Sequence, residues 1–222
     1  MSRSVRKPVA GRGTLTAKEA KAVDALFDVY AGLGDEPECI GPAGCEALCA
    51  AMELDPSDCR VLIFAWLLGA QRMGYFERAE WRVGLARLGT AEPAGMAKTL
   101  GQFHKDLGHS DMFKDFFRYA FGYCLTEPRQ KSIDLETASA MLRIVAGDSQ
   151  HTEDICEFLT SGQEEAKVIN LDQWMSILEF NMKIDANYAN YDDTQAWPLL
   201  LDYFVDWARE KKGIPAPSSG SG

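Results

Sequence analysis

The sequence predicts an all-α protein, and three features carry that expectation. Apolar residues recur at helical spacing through most of the 222 residues, helix-start signals precede several of those stripes, and no strand–turn–strand alternation appears. With 46% hydrophobic residues the chain can bury a core as one domain or as two intimate lobes. Residues 1–13 (MSRSVRKPVAGRG) are polar, basic and Gly/Pro-containing, so they are expected to be a disordered arm. Thr16 and Glu19 form a capping-box pattern ahead of a helix with the stripe Val23, Leu26, Phe27 and Tyr30. Asp55-Pro56 reads as the N-cap and first residue of the next helix. Its segment Val61–Leu68 is apolar on every side and should lie between layers. Helices are expected over Phe113–Cys124 and Leu135–Val145. Another follows Asn170, where Gln173 completes a capping box and Ile169 is placed to staple against Trp174. The residues from Gly213 to Gly222 read as a flexible tail.

The last helix carries the densest pattern. In NYANYDDTQAWPLLLDYFVDWAR (Asn187–Arg209), Phe204, Trp207, Tyr203 and Ala208 gather on the side of Leu200, while Asp202, Asp206 and Arg209 fall opposite. Asp202 and Asp206 stand one turn apart and repel each other slightly, which suits a face that meets something basic. An ordinary solvated face has the same pattern, so these residues alone leave both readings open.

Charge and composition exclude several classes. The net charge is −10, yet Met1–Lys21 holds six basic residues against Glu19 alone. Asp172–Asp206 reverses this, with seven acids against Lys183, a local charge of −6. Such a region repels nucleic acid and attracts a basic protein surface. No apolar run reaches membrane-spanning length, and the N-terminus lacks the apolar stretch of a secretory signal. Cys39, Cys45, Cys49, Cys59, Cys124 and Cys156 include no Cys-x-x-Cys pair, so reduced thiols in a cytoplasmic and/or nuclear protein are expected. No metal or other cofactor is anticipated. His104, His109 and His151 stand in polar, loop-like or helix-edge contexts, none beside a nucleophile motif. No phosphate-cradling glycine loop is present either, so an active site of its own is not expected.

The N-terminal half resembles paired EF-hands in outline. Aligning Phe76 with the eighth position of a calcium loop puts Gly74 at the sixth and Glu80 at the twelfth. The first, third and fifth positions are then Gly69, Gln71 and Met73, none of them a carboxylate. Around Ile40 the twelfth position is Gly44. The expectation is an EF-hand-like helical N-lobe without calcium ligands, packed on a helical C-lobe. A calcium-responsive EF-hand-like adaptor is the alternative reading.

Three long blocks, in order, are similar to the defective-in-cullin-neddylation family with its potentiating-neddylation (PONY) domain. They are LDPSDCRVLIFAWLLGAQRMGYFERAEW (Leu54–Trp81), FKDFFRYAFGYCLTEPRQKSIDLETA (Phe113–Ala138) and YDDTQAWPLLLDYFVDWAR (Tyr191–Arg209). The resemblance covers roughly residues 15–211. It implies a domain over 14–212, with an N-lobe to about residue 100 and a C-lobe from about 101. It further implies a monomeric, non-catalytic scaffold with two docking surfaces. One is an apolar pocket for the acetylated N-terminal methionine of the neddylation conjugating enzyme. The matching positions are Pro42, Cys45, Val61, Phe64, Leu68, Met73, Gly74, Phe76, Tyr123, Met141 and Ile144. Pro42 and Cys45 stand where the family has bulkier aliphatics, and Met73-Gly74 where it has a more polar pair. The other surface is an Asp–Ala–Asp patch, Asp172, Ala196 and Asp202, that meets the C-terminal winged-helix region of a cullin carrying its RING subunit. Where some members carry an N-terminal ubiquitin-binding region, this sequence has only the short basic arm.

Overall fold

A computed structural model describes residues 15–36, 38–107, 112–161 and 166–215, so the basic arm and most of the tail expected from sequence lie outside the described residues. The described residues are mostly helical and divide into two compact units, one ending at Tyr119 and the other beginning at Ala120. The division falls within a helix. Among the described residues no helix is long and apolar enough to cross a membrane.

The first unit contains α1 (Ala17–Ala31), β1 (Cys39–Ile40), α2 (Pro42–Ala51), α3 (Cys59–Leu68), β2 (Phe76–Glu77), α4 (Arg78–Leu88), α5 (Pro93–Leu107) and most of α6 (Met112–Tyr123). Thr16 caps α1 through the expected box, its hydroxyl accepting from the Glu19 amide while Glu19 accepts from the Thr16 amide. The opening of α3 differs from the expectation. Asp58, not Asp55, is its N-cap, accepting from the Arg60 amide at 2.8 Å, while Asp55 closes a turn onto Ser57. An Asp-Pro pair serves a turn as well as a helix start, and here the turn wins.

Seven consecutive α3 residues, Leu62–Leu68, are buried because neighbours cover opposite sides of the helix. Phe64 packs edge-on to Phe76 and to Trp81, and Trp66 packs on Phe103 and Phe116. Burying each such ring contributes roughly 1.5–3 kcal/mol. Trp81 sits at the centre of this half, its indole N–H donating to the Val23 carbonyl at 2.9 Å. Outside it, Arg82 pairs with Asp24 and Arg78 with Asp28, tying α4 to α1 at the surface.

The second unit holds β3 (Ser132–Asp134), α7 (Leu135–Ala146), α8 (Thr152–Thr160), β4 (Val168–Asn170), α9 (Leu171–Lys183) and α10 (Leu199–Lys212). The Asn170–Gln173 capping box opens α9 as the sequence predicted. No hairpin exists among the described residues, but each unit contains a short antiparallel ladder that sequence patterning did not reveal. Ile40 pairs with Phe76 in the first, and Ile133 with Ile169 in the second. Two or three residues are too few to show alternation. Both ladders join loops that lead into helices.

Two helical glycines provide a contrast in packing. A Cβ on Gly84 would lie 2.1 Å from Leu68 Cδ1 and 3.0 Å from Leu68 Cα, whereas one on Gly101 would meet nothing within 4 Å. Gly84→Ala should therefore destabilise the protein by about 1–3 kcal/mol. Gly101→Ala should stabilise it by up to about 1 kcal/mol. Urea unfolding of the two variants, read beside the unsubstituted chain, checks both signs.

Candidate docking surfaces

The residues expected to form the acidic patch lie in the second unit, on α9, on the segment from Ile184 to Pro198, and on α10. That segment is pinned by Tyr188, which is fully buried with a left-handed backbone (φ +57°). Its ring lies 5.0 Å from the His151 ring and 6.0 Å, edge-on, from Phe204. Its hydroxyl meets Asp154 and Lys212, and Arg209 donates to its carbonyl at 2.8 Å. Farther along, Trp197 stacks on Tyr191, and both rings lie against Phe180.

Ala196 is exposed beside Trp197, as expected. Asp202 is half-buried rather than simply solvated, because the Tyr191 hydroxyl donates to its carboxylate. Burial, reinforced by that carboxylate, raises the Tyr191 phenol above its ordinary value and keeps it a donor. Tyr191 thus contacts Asp202 through its hydroxyl and, through its stacked ring, Trp197, the residue after Ala196. Asp172 is exposed in the first turn of α9, eight positions or about 12 Å of helix before Phe180. Two residues of the last helix depart from the sides expected of them. Tyr203 is 39% exposed while Phe204 and Ala208 are interior, and Arg209 bonds the Tyr188 carbonyl instead of joining the acidic face.

Two findings in this unit were not legible in sequence. Leu199 is 61% exposed at the start of α10, one turn before Tyr203, so the acidic face has an apolar border. His151, read from sequence as a polar-context residue, is fully buried against Phe180 and Tyr188. Its Nε2–H donates to the Ile184 carbonyl at 2.9 Å, and Nδ1 is buried without a partner. Its neighbours Gln150 and Thr152 gave no apolar signal, because the rings that enclose it come from residues about thirty positions away.

The residues expected to form the apolar pocket differ in burial and are divided between the two units. Phe64, Leu68 and Phe76 are interior in the first unit, with Phe64 enclosed by Phe76 and Trp81. Val61 and Cys45 are half-buried, and Pro42 and Met73 are exposed. The Cys45 thiol donates to the Gly74 carbonyl at 3.4 Å, joining α2 to the loop before β2. Burial pushes that thiol up to about 12. Gly74 takes φ +76°, a conformation that favours glycine. Tyr123, Met141 and Ile144 belong to the second unit, the first two buried and Ile144 half-buried.

The same loop engages Glu80, aligned from sequence with the twelfth position of a calcium loop, in backbone hydrogen bonds. Its two oxygens accept from the amides of Gln71 at 3.0 Å and Glu77 at 2.9 Å. Gly44, at the twelfth position of the partner loop, is required by packing, since a Cβ there would lie 2.4 Å from the Tyr30 carbonyl oxygen. A cleft of about 420 Å³ lies beside these loops, lined by residues including Glu36, Arg72, Tyr75 and Glu80. None of the expected apolar-pocket residues lines it.

Comparison with known proteins places these features. A family model described as cullin binding matches residues 95–207, which include Asp172, Ala196 and Asp202. DCN1-like protein 2 of Dictyostelium discoideum is 38% identical over 85% of this chain and 69% of its own length. DCN1-like protein 4 of Homo sapiens is 38% identical over 84% of this chain and 62% of its own length. DCN1-like protein 5 of Homo sapiens is 33% identical over 85% of this chain and 77% of its own length. The chain belongs to the DCN1-like, cullin-binding family. In this family member the matched span holds all of the acidic patch together with Tyr123, Met141 and Ile144, while Pro42–Phe76 precede it.

The buried imidazole gives this unit a pH dependence. Burial holds His151 below its ordinary value of 6.5, against the hydrogen bond to Ile184; Lys212, Asp154 and Asp185 are the charges around it. The folded unit therefore keeps His151 neutral where the unfolded chain would take up a proton. Its contribution to stability is complete above about pH 6.5 and is lost as pH falls from there through the lowered folded value. Chemical unfolding between pH 8 and pH 5 should show this decline, and His151→Gln should flatten it while lowering stability at pH 8.

Proposed function

We propose that this protein is a non-catalytic scaffold of cullin neddylation, a role its membership in the cullin-binding family supports in outline. As a monomer in the cytoplasm or nucleus, it would hold the cullin's C-terminal winged-helix region, with the RING subunit, on the acidic patch. The N-acetylated conjugating enzyme would dock on the apolar site that begins at Pro42, Cys45 and Val61. Holding both partners raises the effective concentration of the charged conjugating enzyme at the acceptor lysine, with no chemistry by the scaffold itself.

The observation that carries this reading is the one-sided charge of α10. Its last-turn bases all point away from the acids. Arg209 bonds the Tyr188 carbonyl, Lys211 pairs with Asp154 and Glu157, and Lys212 pairs with Asp154. Asp206 is left exposed one turn from Asp202, and Ala196, just before α10, is small and exposed as well. A purely structural helix would gain by placing those cations beside its own acids. The arrangement supports a basic partner, and the small residue leaves room for its close approach.

Ala196→Arg should abolish cullin binding in a pull-down and leave the unfolding midpoint nearly unchanged, because the position is exposed and touches nothing in the core. Asp202→Lys should also abolish binding, but with a measurable loss of stability, since it removes the acceptor of the buried Tyr191 hydroxyl. Binding of the unsubstituted protein should weaken as salt rises. Wild-type cullin binding by folded Ala196→Arg protein would remove the patch from the mechanism.

For the apolar site, a peptide with the acetylated N-terminus of a neddylation conjugating enzyme should bind far better than its unacetylated form. The free ammonium would lose its hydration without gaining a partner. Val61→Asp places a charge at a half-buried position in the first turn of α3, where a helix tolerates an acid, and should weaken peptide binding selectively. Calorimetry with both peptides reads the effect, and equal affinities would overturn the assignment.

A further inference from the structure

The chain carries two strongly exposed methionines among the described residues, Met73 at 46% and Met182 at 75%, whereas Met52, Met96, Met141 and Met175 are buried. Met73 lies on the loop between α3 and β2, and the backbone on both sides of it is held. Gly69 and Gly74 take left-handed conformations at φ +72° and +76°. Glu80 holds the Gln71 amide, Arg72 lies over the Tyr75 ring, and Cys45 holds the Gly74 carbonyl. The loop thus presents one accessible thioether at a fixed place, immediately before the glycine that contacts Cys45.

We propose that Met73 is an oxidant-sensitive element of the apolar site, whose conversion to the sulfoxide reversibly weakens docking of an acetylated N-terminal methionine. The inference rests on the reading of that site given above. Hydrogen peroxide is the co-reactant. A sulfur lone pair attacks one peroxide oxygen, the S–O bond forms as the O–O bond breaks, and water leaves. The thioether is oxidised by two electrons and the peroxide is reduced by two. The product replaces an apolar, polarisable group with a strongly polar one at the edge of a site meant to exclude water. Cys45 does not compete for the oxidant. Thiol oxidation proceeds through the thiolate, and burial pushes this thiol up to about 12. Methionine sulfoxide reductases reverse the change with a dithiol as reductant, which becomes a disulfide while the sulfoxide oxygen leaves as water, so the site can be reset.

The test uses the full chain treated with dilute hydrogen peroxide, with each methionine's oxidation mapped by peptide mass spectrometry. Affinity for the acetylated conjugating-enzyme peptide is measured before treatment, after it, and after incubation with methionine sulfoxide reductases. Treatment should weaken binding roughly tenfold in proportion to Met73 sulfoxide, and the reductases should restore it. Met182→Leu should leave the response to peroxide unchanged. Met73→Leu, compared with its own untreated affinity, should lose the response. Cullin binding of the same treated sample reports whether the fold survives. Acetyl-dependent binding that is indifferent to mapped Met73 sulfoxide overturns this inference alone. No acetyl-dependent binding by untreated protein overturns the reading of the site itself.

Discussion

The second unit depends on the burial of Tyr188. A left-handed backbone at a large, non-glycine residue carries a conformational cost of order 1–3 kcal/mol, and it persists only where surrounding contacts over-determine it. Here His151, Phe180 and Phe204 enclose the ring, while Asp154 and Lys212 hold the hydroxyl. Burial works against ionisation of Asp154, but the bond to Lys212 and the charges of Lys212 and Lys211 hold its carboxyl below the ordinary value. Those same lysines are thereby withdrawn from the outer side of α10. One anchored tyrosine therefore does two things. It fixes the course of the chain from Ile184 to Pro198, and it helps sort charge across α10 so that acids remain on the open side.

The first unit shows how a helix–loop–helix pair can be stabilised without an ion. In a calcium-binding loop the twelfth-position glutamate closes the loop through the metal. Here Glu80 closes it directly onto the Gln71 and Glu77 amides, and burial raises its carboxyl above the ordinary value while those two bonds oppose the rise. The partner loop dispenses with the carboxylate altogether, because at Gly44 the Tyr30 carbonyl approaches too closely for any side chain. What remains common to the two loops is the apolar pairing of Ile40 with Phe76, which makes the ladder a packing device rather than a ligand cage.

Local signals in the sequence were enough for much of the fold. The capping boxes at Thr16–Glu19 and Asn170–Gln173 need only residues three apart, and the all-round apolar run of α3 implies cover on opposite sides. The same reasoning failed where the deciding contact is remote. Nothing near His151 announces the ring cage that buries it, and nothing in the spacing of Asp202 and Asp206 distinguishes the carboxylate that accepts from Tyr191 from the one that is exposed. At Asp55 the failure was of another kind. Asp55-Pro56 reads as a helix start, but Asp55 closes a turn onto Ser57 and the Arg60 amide donates to Asp58. The candidate patch residues were legible through resemblance, but their separate surroundings were not.

Those surroundings bear on how a surface of this kind stays selective. An acid held by a buried tyrosine keeps its place when a partner arrives, so less side-chain freedom is lost on binding than at a fully solvated carboxylate. Ala196 is fixed in the same way, because the neighbouring Trp197 is locked between Tyr191 and Phe180. Leu199 and Tyr203, neighbours of these positions on α10, are exposed, and apolar contacts, unlike those of the acids, do not fade with salt. A partner with scattered positive charge satisfies only the acids. One with an apolar projection flanked by lysine or arginine satisfies the whole face, and that difference separates a specific surface from a merely acidic one.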